Sequence, residues 1–150
     1  MKTANKVLWN ESLKVGHIDL DGQHRLLIEL INSFFDIVID GTNTGPKKLE
    51  ELEHYIHHHI DYEEGILSKL KYSDLTNHQM AHSELTSIVS DVTNRLLYLT
   101  NVDEQIDLIN NLQNFWVTHI KTCDHLFKQN ISNLNSTSTS IKNVLPKKVA

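Results

Sequence analysis

The sequence is poor in cysteine, proline, long apolar runs and basic charge, and each shortage excludes something. A single cysteine, Cys123, stands among 150 residues. One thiol cannot staple a small secreted scaffold, so a reducing compartment is expected. Only Pro46 and Pro146 are available to break helices. No apolar run approaches the ~18–20 residues that a membrane span requires. The segment Met1 to Asn10 has no apolar heart of a signal peptide, so the expected location is cytoplasmic. With 14 basic and 19 acidic residues the net charge is -5, and no basic run lies in the body of the chain. Neither nucleic acid nor membrane is therefore an expected partner. No stretch alternates polar and apolar residues over a strand's length, and no fixed-period repeat occurs.

What the chain does have is helical periodicity and ten histidines. Its length suits one domain with a core that needs no disulfide. Residues 1 to about 17 read as an extended arm, with Trp9 tucked against the body. Four helical stretches follow. Helix A spans about Leu20–Ile39 and stops at Asp40-Gly41. Helix B starts near Pro46 and ends near Leu70. Helix C follows Ser73 or Asp74 as N-cap and runs to about Leu99. Helix D spans about Glu104–Ile131. Short loops between long helices predict an all-α, antiparallel up-down-up-down four-helix bundle over residues 1–131. Residues 132–150, rich in Asn, Ser and Thr, are expected to form a mobile, disordered tail.

Helical phase sorts the histidines. On helix B, His59 and Glu63 lie four residues apart, within roughly 20° of Leu52 and Leu70 on the wheel. His54, His57 and His58 fall on the far side, roughly 120–240° away, as exposed residues. On helix C, His78 and His82 form a His-x-x-x-His pair within roughly 50° of the centre of the apolar stripe. On helix A, His24 sits among Leu20, Leu27, Ile28, Ile31 and Phe35. On helix D, His119 is in phase with Leu108, Leu112, Phe115 and Leu126. The nearest carboxylate on that helix, Asp124, is five residues on and roughly 140° away on a regular helix. Bringing it inward calls for a local widening of the helix or a reach across the end of the bundle. Cys123 reads as a small buried apolar residue. His17 and His125 read as structural or surface histidines.

A lone inward histidine is more often a hydrogen-bonded core residue than a ligand. Here, however, five of them and at least one carboxylate face inward from four helices. Antiparallel connectivity puts them all at one end of the bundle. A metal centre satisfies so many buried imidazoles together. The donor set exceeds what one ion takes. Calcium and magnesium would want oxygen, whereas imidazole with carboxylate suits iron, with manganese, zinc or copper also open. Two octahedral ions sharing two carboxylates and a solvent-derived bridge would have all but one position filled, leaving room for a small ligand.

The chain resembles the hemerythrins, specifically the single-domain bacterial kind, over about Val7 to Phe127. The residues that carry the likeness are Trp9-Asn10 to Val15-Gly16, Ile18-Asp19-x-Asp21-x-Gln23-His24, His59-Ile60-Asp61-Tyr62-Glu63-Glu64, His78-x-x-x-His82 and Trp116-x-x-His119-Ile120-x-x-x-Asp124. The resemblance implies a non-haem pair of iron ions with an oxo or hydroxo bridge. His78, His82 and His119 would hold one ion. His24 and His59 would hold the other, which has the open position. Glu63 and Asp124 would bridge both, the family using the same five-residue spacing before the Asp. It implies reversible binding of O2, held as hydroperoxide at one iron, for storage, delivery or sensing, rather than turnover. One departure is Ile60, where the family often has Phe beside the site. The alternatives are a diiron enzyme, peroxidase-like or NO-reducing, and an iron store or scavenger. Catalytic diiron bundles more often carry two inward Glu-x-x-His motifs, and here Glu51-x-x-His54 faces outward. Protein partners are left open, with a monomer as the default.

Overall fold

The turn at Gly16 launches the first helix and shows how the chain fixes its direction there. Gly16 has φ 94°, a left-handed conformation natural to glycine. The Asp21 carboxylate accepts from the backbone N–H groups of Val15 and Gly16, at 2.7 and 3.2 Å. His17 Nδ1 accepts from the Leu20 N–H at 3.4 Å, so this histidine is the N-cap of helix α1 (Ile18–Asp40). The far end of α1 stops at Gly41 (φ 65°), where the Thr42 N–H reaches back to the Ile37 carbonyl at 3.2 Å.

The computed structural model describes residues 1–43 and 45–144. Helices α2 (Gly45–Lys69), α3 (Leu75–Tyr98) and α4 (Val102–Thr122) complete the bundle. No strand occurs among the described residues. Each helix packs on its neighbours in sequence, and α4 closes back on α1. With connections this short, consecutive helices run in opposite directions. Asn101 caps α4 by accepting from the Glu104 N–H at 3.1 Å. Asp74 stands at the start of α3, but its side chain accepts from the Asn77 amide at 2.7 Å and makes no backbone cap bond. Helix α2 ends through Lys71, a non-glycine residue at φ 52°, with the Tyr72 N–H on the Leu67 carbonyl at 3.0 Å.

The main core is the apolar stripe of each helix turned inward, with Ile31, Phe35, Leu52, Ile56, Leu85, Ile109 and Leu112 buried in one cluster. Each such side chain contributes about 1.5–3 kcal/mol by leaving water. Trp9 packs against this cluster, with Ala4 and Val7 beside it. The arm is tied down by Asn32, which donates to the Val7 carbonyl at 2.7 Å and accepts from its N–H at 3.1 Å. A smaller cluster of Val15, Leu20, Leu67, Phe127 and Ile131 seals the opposite end. No helix among the described residues is long and apolar enough to cross a membrane.

The C-terminal part differs from the expectation. Helix α4 does not run on to Ile131; it stops at Thr122, and a 3-10 turn over Asp124–Phe127 leads into α5 (Lys128–Val144). The expected unstructured tail is thus helical over 132–144, while 145–150 lie outside the described residues. The composition beyond Ser132 is too polar to announce a packed helix, but two residues one turn apart anchor its start. Ile131 is fully buried, and the Asn135 amide donates to the Gly16 carbonyl at 3.1 Å.

Candidate metal centre

Two turns of α2 and the opening of α3 supply the middle of the site. His59 and Glu63 project from one face of α2, as do His78 and His82 from one face of α3. His24, in the second turn of α1, and His119, in the last turn of α4, approach from either side. Asp124 enters from the 3-10 turn beyond α4. All seven side chains are buried, none above 5% exposure. One donor atom from each of Glu63, His78, His82, His119 and Asp124 lies within 4.8 Å of the others. The same holds for His24, His59, Glu63 and Asp124, so both carboxylates belong to both groups.

The carboxylate oxygens divide between the groups. Glu63 Oε1 lies 2.6 Å from His78 Nε2 and 3.2 Å from His82 Nε2, whereas Oε2 lies 3.4 Å from both His24 and His59 Nε2. Asp124 Oδ1 is 3.1 Å from His119 Nε2 and 3.5 Å from His78 Nε2, while Oδ2 is 3.2 Å from His24 Nε2. Most of these atoms are close without bonding. Nε2 of His24, His59, His82 and His119, with Glu63 Oε2 and both Asp124 oxygens, are buried without a hydrogen-bond partner. An orphaned buried donor or acceptor costs ~1–3 kcal/mol, and seven aimed at one space call for a shared partner. Acceptor lone pairs from imidazole and carboxylate fit a cation, and a set this rich in imidazole suits a transition metal.

Aromatic packing walls the centre. The Trp116 ring stacks on His119 at 5.9 Å and 10° and stands edge-on to His24 and His59, each at 5.5 Å. Phe127 lies edge-on to His78 at 5.4 Å. Ile60, at 8% exposure, is part of the main core.

No family model matches the chain. A hemerythrin-like protein from Naegleria gruberi is 30% identical over 120 residues, covering 80% of this chain and 89% of the relative. The chain belongs to the hemerythrin family. The bacteriohemerythrin of Clostridium acetobutylicum is 23% identical over 128 residues, covering 81% of this chain and 94% of that protein. A solved hemerythrin variant superposes with a TM-score of 0.69 at 20% identity, over 84% of this chain and 97% of that one. The hemerythrin fold is thus the four-helix scaffold described above.

In this hemerythrin-family bundle the seven residues singled out in the sequence converge, and the exposed His54, His57 and His58 stay outside. Asp124 comes inward neither by widening of the helix nor along a continuous wheel. The α-helix ends, and an angle calculated for an unbroken helix loses its meaning across that end. Cys123 consequently differs from expectation. It caps α4, is only partly buried, and lies with Sγ 3.7 Å from Thr122 Oγ1. Two residues at the site escaped the phase argument. Gln23 Oε1 meets His59 Nδ1 at 2.8 Å, and Glu64 Oε1 meets His82 Nδ1 at 2.7 Å. Both contacts cross between helices, where no spacing rule in sequence reaches.

The electrostatics of these side chains follow from crowding. Burial opposes charge on His24, but Asp124 and Glu63 overcome it and lift the group to about 9. Burial dominates at His59 and lowers it. His82 is raised, burial being outweighed by Glu63 and Glu64. Burial alone would raise Glu63, but the surrounding histidines hold it well below the usual carboxylate range. Asp124 is lowered too, against burial and the neighbouring Glu63, by His119 and His24.

Proposed function

We propose that the centre holds two iron ions and binds O2 reversibly, for storage, delivery or sensing. The observation that carries this reading is the division of Glu63, with one oxygen towards His24 and His59 and the other towards His78 and His82, and of Asp124, with one towards His24 and the other towards His78 and His119. His78, His82 and His119 would hold one ion, and His24 and His59 the other. Glu63 and Asp124 would serve both ions, and the ion held by only two imidazoles would keep a place for a small ligand. Two bound irons would supply the two electrons that O2 uptake needs.

The chain's own side chains do the rest. Trp116 and Phe127 exclude water and larger molecules from the centre. Gln23 and Glu64 fix ring orientation by accepting from the outward nitrogens of His59 and His82. Imidazole-rich ligation supports binding over turnover. A carboxylate-rich catalytic pattern finds no support, since His54 of Glu51-x-x-His54 is exposed. The unpaired Cys123 suits a reducing, cytoplasmic setting, and a monomer is the state proposed.

Anaerobic reconstitution with Fe(II) tests this directly. Two irons per chain are expected, with a charge-transfer band in the visible on admission of air that reverses on removing O2. His59→Ala should lose an iron and the band, while His57→Ala and His58→Ala keep both. Retention of two irons and the band in His59→Ala would overturn the assignment.

A further inference from the structure

Two of the imidazoles in the centre have outward nitrogens with unlike partners. His82 Nδ1 lies 2.7 Å from a carboxylate, Glu64 Oε1, whose side chain is 24% exposed. The other oxygen of Glu64 accepts from Gln79 Nε2 at 3.3 Å, one turn before His82 on α3, which holds the carboxylate in place. His59 Nδ1 lies 2.8 Å from a neutral amide oxygen, Gln23 Oε1. Gln23 lines a shallow groove with Ile18, Gly22, Leu26 and Tyr62, and the nearby carboxylate of Asp19 is occupied by the Tyr62 hydroxyl at 2.7 Å. In both pairs Nε2 faces the centre, so Nδ1 carries the proton and donates. The geometry of the two contacts is alike, and the charge is not.

We propose that Gln23 and Glu64 are positioning residues that divide the centre electronically, making the ion held by His78, His82 and His119 the more firmly bound and the more easily oxidised of the two. A carboxylate accepting from the far side of a ligand imidazole raises its basicity, and such partners typically change metal affinity or activity about 10–100-fold. A neutral amide orients the ring without that push. The ion beside His24 and His59 is therefore kept the more reducible, where a small ligand must come and go. This rests on the two-ion reading above and adds an electronic difference to the one that three imidazoles against two already make.

Gln and Glu are nearly isosteric, so the exchanges Glu64→Gln and Gln23→Glu keep the hydrogen bond to each ring and change its charge, the Gln79 amide turning over in Glu64→Gln to accept where it had donated. The probe is Co(II) alone, titrated into metal-free protein under argon and followed by its ligand-field bands, with His59→Ala marking which step belongs to which ion. The wild type should take two ions in resolved steps. Glu64→Gln should weaken the tighter step about 10–100-fold, and Gln23→Glu should strengthen the weaker step by a similar factor. The double exchange Gln23→Glu/Glu64→Gln should narrow the gap between the steps from both sides. With iron in air, Gln23→Glu should shorten and Glu64→Gln lengthen the lifetime before irreversible oxidation, a split that a merely structural role would not produce. Equal responses to the two exchanges, or none beyond about threefold, would overturn the division while leaving two-ion binding intact. A wild type that takes up fewer than two ions would overturn the two-ion reading and the division with it.

Discussion

Glu63 and Asp124 line one small space and share their oxygens out alike. Each gives one oxygen to the His24 side and the other to the His78 side, at 2.6–3.5 Å from the imidazole nitrogens. They come from unrelated places, one from the middle of a helix turn and the other from a break between two helices.

If both carboxylates span the ions, losing either should cost more than one ligand. Asp124→Ala and Glu63→Ala are expected to bind at most one ion tightly under conditions where the wild type binds two. Elemental analysis after gel filtration, alongside circular dichroism to establish that the bundle is intact, checks this. A variant that retains two ions at wild-type affinity is not missing a bridge.

Metal uptake should release protons. His24 in the metal-free protein sits near 9, so at neutral pH it carries a proton that an incoming ion must displace. Apparent affinity should rise with pH, by up to about tenfold per unit from one proton, and level off above about 9. Stability of the metal-free protein follows from the same shift. His24 is raised above its ordinary value of 6.5, so its contribution is complete below 6.5 and is lost as pH rises through about 9. Glu63 and Asp124 are lowered, so theirs is present above the ordinary carboxylate range and lost as pH falls through their folded values. Calorimetric titrations in buffers of different ionisation enthalpy count the released protons. Uptake that is independent of pH between 6.5 and 9 would contradict this account.

Trp116 supports three of the imidazoles through one ring, and its own Nε1 has no hydrogen-bond partner. Its removal creates a cavity with no polar compensation. Trp116→Ala should destabilise the metal-free protein by about 3–5 kcal/mol, and Trp116→Phe by clearly less. Urea unfolding measures both, and a loss below about 1 kcal/mol for Trp116→Ala would deny the ring a structural role.

At the end of α2, an exposed lysine holds a left-handed conformation for which glycine is suited. The strain is ~1–2 kcal/mol, offset in a glycine variant by the greater freedom of the unfolded chain, ~0.5–1 kcal/mol. Lys71→Gly should therefore stabilise the protein by about 0.5–1 kcal/mol without altering metal content. A shifted denaturation midpoint with an unchanged slope is the expected signature.

Much of this was legible in the chain. Helical phase separates His59 from His57 and His58 because a 100° step per residue leaves no ambiguity on a regular helix. Asp124 was readable only through its family spacing, because it lies where regular geometry stops. Cys123 was misplaced for the same reason. Gln23 and Glu64 could not be paired with His59 and His82 from spacing, since each contact joins residues on different helices. The helix beyond Ser132 was missed because its anchor, Asn135 on the Gly16 carbonyl, is a contact between the two ends of the described chain.

That break after α4 also sets an order of assembly. Six of the seven donors are in place once α4 has emerged from the ribosome, but the seventh lies beyond it, and the buried side chains behind it are Phe127 and Ile131. A nascent chain can thus gather all its inward imidazoles before it owns its second buried carboxylate. The cluster of donors closes last, when the segment after Thr122 docks beneath Leu20 and Leu67.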